Sequence, residues 1–174
     1  MTVLVDDQTL SVLLRHDLDR PDEPVFTTGH WYLRLCQAVV RGGGGQLSAP
    51  VLSLPPDHRQ RALGAILELP DDIAILSWKI VAPVMANQVE GAGRGLNLLS
   101  REALAAATVL QATVVMAVGN LNRLLAEALR QAGLVCVRST VPQPEDRGGT
   151  TRRFVASPAA GGTTFGMSDR SSSR

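Results

Sequence analysis

Aromatic side chains are scarce here: three Phe, two Trp and one Tyr in 174 residues. Any core must therefore be built from Leu, Val, Ile and Ala. Lysine is nearly absent, with Lys79 the single one among seventeen basic residues. Arginine suits bidentate phosphate contacts, but abundant Ala, Arg and Gly together also follow from a GC-rich genome. The net charge of +1 removes any global pull toward nucleic acid or a membrane surface. Cysteine is limited to Cys36 and Cys136, too far apart for zinc or redox spacing. Both sit in apolar runs, which predicts buried free thiols and a reducing cytosol. No apolar run reaches the length of a membrane span, so no membrane partner is expected. The opening MTVLVDDQTL has no basic region before its first acids, so no signal peptide is expected and a cytoplasmic location is.

What the chain does have is concentrated between Leu96 and Val137. Ser100 is a good N-cap, and Arg101 to Gln111 reads as an Ala/Leu-rich helix. Thr113 to Ala117 is a β-branched apolar run of the kind that forms a buried strand. Asn120 can cap a second helix, in which Leu121, Leu124, Leu125, Ala128, Leu129 and Ala132 share one stripe. Gly133 stands where a helix C′ residue belongs, and Leu134 to Val137 reads as another buried strand. This alternation is a βαβ crossover preceded by one more helix, which predicts a parallel sheet.

The earlier part of the chain fits the same plan. Val3 to Val5 is a short strand, followed directly by Asp6, Asp7 and a helix from Thr9 to Arg15. Asp17 to Pro24 is a polar loop, Val25 to Thr27 a second strand, and Thr28 to Arg41 a helix. Ser48 to Pro56 reads as a loop. Pro55 and Pro56 start a helix that reaches about Glu68. Asp71 or Asp72 is expected to cap a helix carrying Ile73, Leu76, Ile80 and Val84, kinked or ended by Pro83. Gly91 to Gly95 is a linker. Residues 1–141 form one domain on this reading, and 142–174, rich in Pro, Gly, Ser, Thr and Arg, form a disordered, slightly basic tail.

Candidate chemistry is sparse. Gly91, Gly93 and Gly95 follow no strand and precede no Lys-Ser/Thr, so they are not a phosphate loop. His16, His30 and His58 match no nucleophile motif. The acids remain. Asp6 and Asp7 follow a strand, and Glu102 lies in the expected first turn of the Ala-rich helix. Carboxylates at the carboxyl edge of a parallel sheet could hold Mg²⁺ or Mn²⁺ and activate a water against a phosphodiester. The structural alternative is that Asp7 caps its helix and Glu102 complements a helix dipole.

In its opening VLVDDQTLSVLL, in LSREALAAATVLQATVVMAV and in NLNRLLAEALRQAGLVCV, the sequence resembles the PIN-domain family over roughly Thr2 to Arg138. That resemblance implies an α/β/α sandwich around a central, mainly parallel sheet. It implies an acidic cluster that binds Mg²⁺ or Mn²⁺ and cleaves RNA, a small antitoxin as partner, and homodimerisation. Asp6 matches the family's first acid, and Glu102 stands where an Asp is usual. The helix that should carry another acid has none. After the strand Thr113 to Ala117 come Val118, Gly119 and Asn120, of which only Asn120 offers a ligand, a neutral carbonyl. Asp7, Asp71 and Asp72 are substitutes in charge alone. The resemblance thus implies a degenerate site with Asp6 and Glu102 as its catalytic and metal-binding residues and Asn120 as a weak further ligand. The activity expected is that of a weak or inactive endoribonuclease. The alternative is a non-catalytic module that binds protein or RNA.

Overall fold

The computed structural model describes residues 1–16, 22–43, 45–120, 122–139 and 157–158. Five strands form its parallel sheet: β1 (Val3–Val5), β2 (Val25–Thr27), β3 (Ile73–Ile75), β4 (Thr113–Ala117) and β5 (Cys136–Ser139). Their order is β3-β2-β1-β4-β5, with every neighbour parallel. A two-residue strand β6 (Ser157–Pro158) lies antiparallel on β5. The rest of the expected tail and most of the expected Asp17–Pro24 loop lie outside the described residues.

β1 is central, and its period of two separates two cores. Val3 and Val5 face one side with Val115 and Val137, while Leu4 faces the other with Val114 and Met116. Helices cover both faces, because strands this apolar on both sides cannot meet water. On the first face lie α1 (Asp7–His16), α4 (Pro56–Leu67) and one side of α2 (Gly29–Arg41), through Leu10, Leu13, Leu35 and Ile66. On the second lie α6 (Leu98–Leu110) and α7 (Arg123–Gln131), through Leu104, Ala107, Leu125 and Leu129. α5 (Trp78–Asn87) packs outside α6, with Val81 and Met85 against Ala105. The result is the expected α/β/α sandwich. Ala103 to Ala107 are all fully buried, so the middle of α6 is enclosed all round, and alanine is what allows neighbouring elements to approach it closely.

Several local expectations give way to better competitors. Ile73 to Ile75 is an edge strand rather than the start of a helix. The spacing of Ile73, Leu76, Ile80 and Val84 imitates a helix, but Ser77 caps a new one, its hydroxyl accepting from Lys79 N–H. Pro83 lies inside α5, which runs on to Asn87. A four-residue helix, α3 (Ala49–Leu52), occupies the stretch expected as a loop. Asn97, not Ser100, caps α6, accepting the Ser100 N–H at 2.9 Å. Asn122, not Asn120, caps α7, accepting from Leu124 and Leu125 N–H. Gly133 does end α7: at φ 73° it closes a Schellman pair, Gly133 N–H to Arg130 O and Leu134 N–H to Leu129 O.

Candidate functional site

The two cap shifts decide what the acids do. Because α6 starts three residues early, Glu102 falls in its second turn, only 1 % exposed, and does not serve that helix's own dipole. It serves α2 instead. Glu102 Oε1 accepts Gly29 N–H at 3.1 Å, and Oε2 accepts His30 N–H at 3.1 Å and lies 2.8 Å from His30 Nδ1. Thr28 Oγ1 accepts the next donor, Trp31 N–H, at 3.1 Å. The orphan donors of α2's first turn are thus met by one carboxylate and one hydroxyl, at the positive end of the helix dipole. Gly29 favours this approach, since a Cβ there would sit a tight 3.3 Å from both Glu102 Oε1 and Trp78 Nε1. The Trp78 ring lies 5.3 Å from that of His30.

Asp6 and Asp7 form a second network at the tip of β1. Both are fully buried. Asp6, rather than Asp7, caps α1: its Oδ1 accepts Thr9 N–H at 2.8 Å. Asp6 Oδ2 accepts Ala117 N–H at 3.1 Å and the Asn120 amide at 2.9 Å. One side chain therefore joins the end of β1, the start of α1 and the end of β4. The same Asn120 Nδ2 donates to Asp7 Oδ1 at 2.8 Å, and Arg34 Nε lies 2.8 Å from Asp7 Oδ2. Two carboxylates accept only, so the amide must present its NH₂ to both and turn its carbonyl away. Released from capping α7, Asn120 places its amide nitrogen between the two carboxylates. Burial pushes the Asp7 carboxyl up to about 6, Arg34 draws it down, and the neighbouring Asp6 charge pushes it up again.

These donors do not fit a hard divalent ion. Mg²⁺ asks for free oxygens at about 2.0–2.1 Å. Every carboxylate oxygen of Asp6 and Glu102 already accepts from at least one protein N–H group, and Asn120 turns its nitrogen toward Asp6 and Asp7. Among the described residues no group of three or more His, Cys, Asp or Glu is placed to hold a metal. Among the described residues none is shared between the Glu102 network and the Asp6–Asp7 network. Asp71 and Asp72 are exposed and precede β3, at the amino edge of a sheet whose carboxyl edge carries Asp6 and Asp7. They cannot complete the cluster. Val118, in the 3₁₀ turn Val118–Asn120, is 57 % exposed and brings no ligand.

Arg34 and the Thr28-Gly29-His30 corner are the parts that sequence reasoning missed. Arg34 is one arginine among many, with nothing local to mark it. Thr28 before a helix was a readable cap, and a glycine at the first helical position was a readable sign of close approach.

No family model and no curated protein matches the sequence. Among solved structures, the chain is similar to the 2.2 Å structure of VapBC-1 from nontypeable Haemophilus influenzae. The identity is 15 %, the TM-score 0.45, and the match covers 78 % of this chain and 96 % of that one. A likeness this slight carries no argument about family or activity.

Proposed function

We propose that this chain is a PIN-like domain whose ion site has been replaced by an internal hydrogen-bond network, so that it is a feeble or inactive relative of Mg²⁺- or Mn²⁺-dependent endoribonucleases. The sequence resemblance supports the family, and the parallel α/β/α sandwich is compatible with it. The observation that carries the functional part is the Asn120 amide donating to Asp6 and Asp7 at once. An acid at position 120 would leave three carboxylates in want of a cation; the amide satisfies two without one. On this reading Asp6 and Glu102 hold the fold together, and the retained surface binds a small antitoxin-like protein or RNA in the cytoplasm, with a homodimer as the assembled form. Among the described residues no helix is long and apolar enough to cross a membrane.

The test is incubation of the purified full-length protein with structured RNA and Mn²⁺. The reading expects at most trace cleavage in wild type. Efficient cleavage lost in both Asp6→Ala and Glu102→Ala, with folding intact, would overturn it and restore the metal-dependent nuclease.

A further inference from the structure

A cavity of about 480 Å³ runs along α1, and none of Asp6, Asp7 and Glu102 lines it. Gln8, Ser11, Val12 and Arg15 form its floor at helical spacing. The facing wall brings Gln46 and Leu47, ahead of α3, and Val118 from the turn after β4.

Three observations give this space a chemical character. Arg15 is largely buried, its Nε donates to the Ser11 carbonyl oxygen at 3.0 Å, and no carboxylate pairs with it among the described residues. Burial pushes its pKa below the ordinary guanidinium value. A guanidinium in that state is costly unless an anion meets it. Ser11 is 3 % exposed, and its hydroxyl has no partner among the described residues, not even the backbone oxygen a helical serine commonly uses. Opposite these polar groups, Leu47 and Val118 supply an aliphatic wall, and Val12 extends it along the floor. The Gln8 and Gln46 amides meet across the space, Nε2 to Oε1 at 3.1 Å. The volume is that of an ordinary small-molecule site.

We propose that this cavity binds a small organic monoanion, a carboxylate or phosphate diester on an apolar body. The Arg15 fork takes the charged end, Ser11 donates to it, and the aliphatic wall covers the body. One guanidinium balances one charge, which excludes a polyphosphate. This inference is independent of the proposed function, because it uses none of the carboxylates.

Calorimetric titration of the full-length protein tests it, with octanoate as the carboxylate probe, dibutyl phosphate as the phosphate-diester probe and inorganic phosphate as the bare anion. At least one organic probe is expected to saturate at one per chain, at least about tenfold more tightly than inorganic phosphate. Which probe saturates distinguishes the two headgroups. Arg15→Gln is expected to weaken binding by about tenfold or more, and Arg61→Gln on exposed α4 to leave it unchanged. Val118→Trp, at an exposed rim position, is expected to block the mouth and abolish binding with Tm unchanged. If Arg15→Gln does not fold, this variant decides. Failure of both organic probes, equal binding of inorganic phosphate, or undiminished binding by folded Arg15→Gln or Val118→Trp would overturn the proposal.

Discussion

Glu102 and the Asp6–Asp7 pair both bury carboxylates at the carboxyl edge of one sheet, and they are compensated differently. Glu102 meets the start of α2, where two backbone N–H groups, a helix dipole and an imidazole converge on one charge. Asp6 and Asp7 are chain neighbours that share one amide, and among the described residues Arg34 is the guanidinium paired with them. A helix terminus is suited to one negative charge. A second carboxylate beside the first shares the start of α1 with it, and burial outweighs what that terminus gives: Asp7 is pushed up to about 6.

The strongest way to break this comparison is at Glu102. Glu102→Ala leaves two N–H groups unmet and opens a cavity, with an expected loss of about 4 kcal/mol in urea unfolding. Glu102→Gln keeps the shape and one acceptor and should lose about half as much. A loss below about 1 kcal/mol in the alanine variant would show that α2 does not depend on this carboxylate.

The pH dependence of Asp7 sharpens the contrast. Its folded pKa lies above the ordinary 3.8, so the folded state holds the proton more tightly than the unfolded state. Its contribution to stability is therefore greatest below pH 4, falls as pH rises to about 6, and is constant above that. The full change is about 3 kcal/mol. Asp7→Asn should remove that slope, so the stability difference between variant and wild type should shift in the variant's favour between pH 4 and 7. Parallel curves would mean that Asp7 titrates normally.

Asp6→Ala is expected to cost less, about 2 kcal/mol, because it loses a helix cap and the Ala117 bond but also removes a like charge from Asp7. The Asp7 carboxyl, followed by NMR titration, should then move down toward its ordinary value. An unmoved Asp7 would show that burial alone sets it.

The fold was legible where patterning and packing agree. Val3–Val5, Val25–Thr27 and Thr113–Ala117 are short β-branched or apolar runs buried on both faces, and nothing competes for them. β3 was hidden because Ile73, Leu76, Ile80 and Val84 keep helical spacing across what is really a strand and a separate helix. The caps at Asn97 and Asn122 were hidden by equally good capping residues nearby, Ser100 and Asn120. That small error had a large consequence for the site. Once Asn122 takes the cap, Asn120 is free to face Asp6, and once Asn97 takes the other, Glu102 moves inward by a turn. The individual acids could be read from the sequence. Their partners could not, because Gly29, His30, Arg34 and Asn120 come from distant points in the chain.

The central claim is that the Asn120 amide takes the place of a cation between Asp6 and Asp7. Calorimetric titration of Mn²⁺ into wild type and Asn120→Asp, side by side, tests it most directly. The account predicts no saturable binding to wild type, and one Mn²⁺ bound by Asn120→Asp together with a rise in Tm on adding the metal. Tight binding by wild type that Asp6→Ala abolishes, or an Asn120→Asp variant that folds yet ignores Mn²⁺, would contradict it.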